Sequence, residues 1–148
     1  MTFGELVDGL GKNLGVELVD EGGAAAVLVD GSPVVLQAAG DDLLLTYADL
    51  GEVSPDLRDR VFAAAMEANF LYQGTGGATL AVNSNNGHLH LQKYNWLNRL
   101  DVEKAVTGLT RFADTVAVWK GILTESNTGF ARSDGALPVS SQGGFMQV

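Results

Sequence analysis

Three short apolar runs lie close together in the chain, Ala24 to Val29, Val34 to Ala39 and Leu43 to Ala48, divided by Asp30-Gly31-Ser32-Pro33 and Gly40-Asp41-Asp42. Both dividers have the composition of tight turns, with Gly supplying left-handed backbone and Asp and Ser supplying local hydrogen bonds. Strands joined this closely run antiparallel, because a parallel connection needs a dozen residues or more. The segment therefore reads as a three-stranded meander. Its side chains constrain the fold further: Val27 and Val29 alternate with Ala26 and Leu28, Val34 and Leu36 flank Val35, and Leu43 and Leu45 flank Leu44. Both faces are apolar, whereas a sheet with one solvated face alternates apolar with polar residues. Such a sheet is either buried on both sides in a compact assembly or offers one face or edge to an extended peptide.

The rest of the chain supplies helices and a second hairpin. Phe3, Leu6, Val7, Leu10 and Leu14 recur at helical spacing, and Thr2 with Glu5 has the form of a capping box. Ser54-Pro55-Asp56 has the signature of a helix start, with Ser as cap and Pro in the first turn, for a second helix reaching about Tyr72. Ala78 to Asn83 and His88 to Tyr94 flank Asn85-Asn86-Gly87, a strong hairpin signal. From Asp101, the residues Val102, Ala105, Val106, Leu109, Phe112, Ala113, Val116, Trp119 and Leu123 form one stripe of a third helix. The expected fold is thus α+β, an antiparallel five-stranded twisted sheet with three helices in the order α-β-β-β-α-β-β-α. One domain is expected over residues 1–123, and the Gly- and Ser-rich stretch 124–148, with only isolated apolar residues such as Phe130 and Phe145, reads as a flexible tail.

The second helix has two apolar sides. At roughly 100° per residue, Leu57, Val61, Ala64, Ala65, Ala68, Leu71 and Tyr72 fall on one stripe and Phe62, Met66 and Phe70 on another. Leaving three such side chains in water forgoes roughly 1.5–3 kcal/mol each. Either the chain wraps this helix itself, or two copies meet across a two-fold axis at Phe62, Met66 and Phe70, with Asn69 beside them.

Composition narrows the chemistry. A net charge of -9 with only nine basic residues argues against a nucleic-acid surface, which needs Lys and Arg against phosphate. With 46% hydrophobic residues there is material for a core. The absence of cysteine removes disulfides, thiolate nucleophiles and Cys metal sites, and suits the cytoplasm. Glu5 and Asp8 interrupt any signal-like start, and no apolar stretch approaches the roughly 20 residues of a membrane span. His88 and His90 share one strand face, yet two ligands make no metal site and no acidic residue stands near them in sequence, so solvated surface histidines are expected. Gly74-Thr75-Gly76-Gly77 follows a helix and lacks a Lys-Ser/Thr ending, so it is a turn and no phosphate loop. No nucleophile elbow is present, and the acidic pairs lie in turns. The reading is a binding protein, with no enzyme activity, cofactor or metal.

One run is more specific: Glu67-Ala68-Asn69-Phe70-Leu71-Tyr72-Gln73-Gly74-Thr75-Gly76-Gly77-Ala78-Thr79-Leu80-Ala81. Together with Leu14-Gly15, Val29-Asp30-Gly31 and the segment from Leu100-Asp101 to Trp119, it resembles the CesT-like, or class I, chaperones of type III secretion. That resemblance implies a cytoplasmic homodimer in a Gram-negative bacterium, without cofactor or nucleotide hydrolysis. It would bind the N-terminal region of a secreted virulence effector in extended form, keep it export-competent and hand it to the secretion apparatus. The effector surface would then be the first helix and the meander, through Phe3, Leu6, Leu10, Val27, Val29, Val34, Leu36 and Leu45. The alternative is a regulatory or scaffolding domain of the same fold that binds a non-secreted protein.

Overall fold

The computed structural model describes residues 1–132. Its helices are α1 (Phe3–Leu14), α2 (Arg58–Asn69) and α3 (Val102–Arg132), and its strands are β1 (Ala24–Val29), β2 (Ser32–Ala39), β3 (Leu43–Glu52), β4 (Thr79–Asn83) and β5 (His88–Trp96). Short 3₁₀ turns occupy Pro55–Leu57, Phe70–Tyr72 and Leu97–Arg99. The five strands form one sheet in the order β1-β2-β3-β5-β4. The α+β class and the expected order of elements are therefore the observed ones. Contacts divide the chain into two compact units, residues 1–48 with 92–114, and residues 49–91 with the part from Thr115 onward.

In the first unit, α1 starts as its sequence dictates. The Thr2 hydroxyl accepts from Glu5 N–H at 3.2 Å while the Glu5 carboxylate accepts from Thr2 N–H at 2.7 Å, so two otherwise orphaned donors are satisfied. The Thr2 N–H is the main cause of a Glu5 pKa held below the ordinary carboxylate value. Gly15, left-handed at φ 67°, ends the helix. β1 pairs antiparallel with β2, with Ala25 opposite Leu36 and Val27 opposite Val34, and β2 pairs antiparallel with β3, with Leu36 opposite Thr46. Ala25, Val27, Val29, Val34, Leu36 and Leu44 are buried, as are Phe3, Leu6, Val7 and Leu10 of α1 and Leu109 and Phe112 of α3. These side chains are the core of this unit.

In the second unit the helix start departs from expectation. Ser54 makes no side-chain cap, Pro55 opens a 3₁₀ turn, and the α-helix begins only at Arg58, beyond reach of the Ser54 hydroxyl. Val61, Ala65 and Ala68 of α2 are buried with Leu80, Leu89, Leu91, Val116, Trp119 and Leu123. Trp119 donates its indole N–H to the Gly74 carbonyl at 2.9 Å, fastening the glycine-rich turn beneath α3. The final helix also runs past its expected end at Leu123 as far as Arg132. Thr, Ser and Asn are weak helix formers, but here the chain holds them: Ser126 is buried, and Asn127 exchanges hydrogen bonds of 3.4 Å with Ser54 N–H and the Glu52 carbonyl. The first nine residues of the expected tail, 124–132, are thus helical, and residues 133–148 lie outside the described part.

Candidate functional site

Strand alternation sends each residue of the first unit to one of two faces. Inner positions are filled by the core; outer positions are Ala26 and Leu28 of β1, Val35 of β2, Leu45 and Tyr47 of β3, and Tyr94 and Trp96 of β5. Leu28 is 70% exposed, Tyr94 62% and Trp96 46%. On this face the Tyr47 hydroxyl donates to the Gln37 side-chain carbonyl at 3.2 Å. The result is an exposed sheet surface of aliphatic and aromatic side chains.

Most of the expected effector set lies inside the chain. Phe3, Leu6, Leu10, Val27, Val29, Val34 and Leu36 are all buried within the chain, and only Leu45 belongs to the outer face, where it is half-buried. When both faces of a strand are apolar, sequence cannot tell which one the helices cover. The register decides it, placing the valines of β1 inward and Leu28 outward.

The second unit has its own apolar surface. Met66 is 75% exposed and Phe70 66%, while Phe62 is half-buried. Asn69 is occupied inside the chain: its side-chain carbonyl accepts from Leu80 N–H at 2.8 Å and its amide donates to the Leu80 carbonyl at 3.0 Å. It pins the end of α2 to β4 as another strand would. Leu71 and Tyr72, expected on the buried stripe, are exposed, because α2 stops at Asn69. Both residues have left-handed backbone, at φ 52° and 57°. Bulky side chains adopt that region only at a cost of roughly 1–2 kcal/mol each, and here it turns them away from the helix axis. Val82 and Val118 are further exposed aliphatics of this unit.

His88 and His90 are not the isolated surface histidines expected. Asp49 of β3, remote in sequence, meets His88 Nδ1 at 2.8 and 3.0 Å and lies 4.0 Å from His90 Nε2. Partial burial works against the charge of Asp49, but the hydrogen bonds from His88 and Gly51 and the histidines' charge outweigh it and hold the carboxyl below its ordinary range. No group of three or more His, Cys, Asp and Glu that could hold a metal ion occurs among the described residues. Nor is any described helix long and apolar enough to cross a membrane.

A family model, the Tir chaperone protein (CesT) family, matches residues 5–120. The chain belongs to the CesT family. Comparison with the curated proteins gives no match. Among solved structures, the chain is similar to one from the ExsC–ExsE complex, with a TM-score of 0.66 and 20% identity over 80% of this chain and 91% of that one. It is similar to one from the HopA1–SchA chaperone–effector complex, at 0.64 and 19% over 80% and 93%. It is also similar to one from the complex of the Yersinia pestis type III secretion chaperone SycH with a stable fragment of YscM2, at 0.62 and 20% over 80% and 99%. At these identities the likeness establishes the fold. In this CesT-family chain the sequence leaves open whether Val27 or Leu28 faces outward, and the alternation Gln92-Lys93-Tyr94-Asn95-Trp96 is the signal for the exposed Tyr94 and Trp96.

Proposed function

We propose that this protein is a homodimeric type III secretion chaperone. It holds the N-terminal region of a secreted effector in extended form in the cytoplasm of a Gram-negative bacterium, and passes it export-competent to the secretion apparatus. The observation that carries this reading is that a CesT-family chain exposes two apolar surfaces, an outer sheet face in one unit and the Phe62, Met66, Phe70, Leu71 and Tyr72 group in the other. Monomeric proteins seldom leave such groups in water.

The division of labour follows from shape. A helix face and helix end with protruding Met and Phe suit an isologous contact, where each copy supplies the same patch. A sheet face of exposed aliphatic and aromatic side chains suits an extended peptide. Binding of this kind uses no cofactor and no catalysis, and residues 1–123 would form the chaperone domain. Effector recognition accordingly moves from the buried set named from sequence to Leu28, Leu45, Tyr47, Tyr94 and Trp96.

Co-purification from the native cell, with the partner identified by mass spectrometry, tests the client half: a secreted protein retained through its N-terminal region is the expected outcome, and loss of that protein on Trp96→Asp places it on the sheet. Light scattering tests the dimer half. A wild-type monomer at micromolar concentration contradicts it, whereas Met66→Glu is expected to convert dimer to monomer, since a charge buried without a partner is strongly unfavourable.

A further inference from the structure

Asp49, His88 and His90 take outer positions on β3 and β5, as the inward burial of Leu50, Leu89 and Leu91 requires. One oxygen of the carboxylate is approached by both rings: Oδ2 lies 2.8 Å from His88 Nδ1 and 4.0 Å from His90 Nε2. The other, Oδ1, accepts from Gly51 N–H at 2.8 Å and stands 3.0 Å from His88 Nδ1. The carboxylate is thereby held by its own strand and aimed at β5.

His90 is the group left over. Its Nε2 is buried and has no hydrogen-bond partner among the described residues, and its side chain is 20% exposed. Most buried polar atoms in folded proteins are paired, and leaving one unpaired is costly. A proton resolves this. The imidazolium carries a donor on Nε2, and a movement of about 1 Å brings it within hydrogen-bonding distance of Asp49 Oδ2.

The charges around the trio are few. β2 and β4, the remaining neighbours of these strands, carry no titratable side chain. On β3, Tyr47 stands two residues before Asp49 and Glu52 three after it, and Lys93 of β5 takes an inner position. From the start of α2, Arg58 lays its guanidinium on Gly87, where a Cβ would meet Nη2 at 2.8 Å. That cation, beside the residue preceding His88, opposes a charge on the ring, so the attraction that favours charged rings comes from Asp49.

We propose that Asp49, His88 and His90 form a proton-operated latch between β3 and β5. In mildly acid solution both protonated rings close on Asp49 Oδ2 and fasten the strands; at higher pH His90 lets go and only the neutral His88 hydrogen bond remains. The attraction is present where the rings carry their protons, below the ordinary histidine value of about 6.5, and fades as pH rises above it. It is lost again as pH falls below about 4, where the carboxylate takes up a proton. The latch needs neither client nor second copy, so it stands independently of the chaperone reading.

Melting temperatures of the full chain, at one protein concentration and in EDTA, test this between pH 8 and pH 3.5. The margin of wild type over Asp49→Asn is expected to be bell-shaped, larger by about 1–4 °C at pH 5.5 than at pH 7.5 and gone below about pH 4. In a background carrying both His88→Gln and His90→Gln, the effect of Asp49→Asn is expected to be the same at pH 7.5 and pH 5.5. Glu52→Gln removes another carboxylate of the same strand and is expected to give no rise over that range. Proton NMR of the imidazoles supplies a readout that needs no melting: Asp49→Asn is expected to alter the titration curves of both rings. A margin over Asp49→Asn that does not grow from pH 7.5 to pH 5.5 overturns the latch. So does an equal rise for Glu52→Gln, an undiminished rise in the double-histidine background, or a His90 ring indifferent to Asp49→Asn.

Discussion

Gly9 and Gly108 are both helical glycines, yet their surroundings are opposite. A Cβ at Gly9 would collide with the Val102 side chain, so this glycine lets α1 approach the start of α3, whereas the space around Gly108 is empty. Gly9→Ala is therefore expected to destabilise by about 1–3 kcal/mol through overpacking, and Gly108→Ala to stabilise by about 0.5–1 kcal/mol through helix propensity. Urea melts of the two variants check the opposed signs. Asp49 makes a pH-dependent contribution. Its folded pKa is depressed, so its stabilising effect is present above the unfolded value near 3.9 and is lost as pH falls through the lower folded value. Wild type is expected to exceed Asp49→Asn in melting temperature at neutral pH, and the two curves are expected to converge below about pH 4.

At the scale of elements, the end of α2 carries the most structural information. Asn69 replaces two backbone bonds between the helix end and β4, and Asn69→Ala leaves the Leu80 N–H and carbonyl without partners. A loss of about 1–3 kcal/mol is expected in chemical denaturation. Next to it, the left-handed Leu71 holds its side chain in solvent. Leu71→Gly is expected to leave the monomer as stable as wild type or more so, by up to about 1 kcal/mol, because it relieves the backbone. The same change is expected to weaken self-association measured by sedimentation, because it removes an apolar contact. A side chain with no role outside the fold would show the first effect without the second.

For the whole molecule, stability and association are linked. If the exposed group of the second unit is covered by a second copy, the melting temperature of the wild type rises with protein concentration, since only the folded state binds. Met66→Glu is expected to melt at a temperature independent of concentration, which calorimetry over a hundredfold dilution series checks. The element order, the capping box at Thr2 and Glu5, the meander and the Asn-Gly hairpin were all legible in the sequence, because turn chemistry and periodicity are local and act on residues a few positions apart. The surplus of apolar side chains was legible as well. Which of them face outward was not: Val27 or Leu28, Leu71 in a helix or in a left-handed turn, and Asn127 in a tail or in a helix are choices settled by partners far away in the chain. Composition and spacing fix what must be buried somewhere, whereas register, helix ends and the meeting of Asp49 with His88 depend on contacts that exist only once the chain has folded.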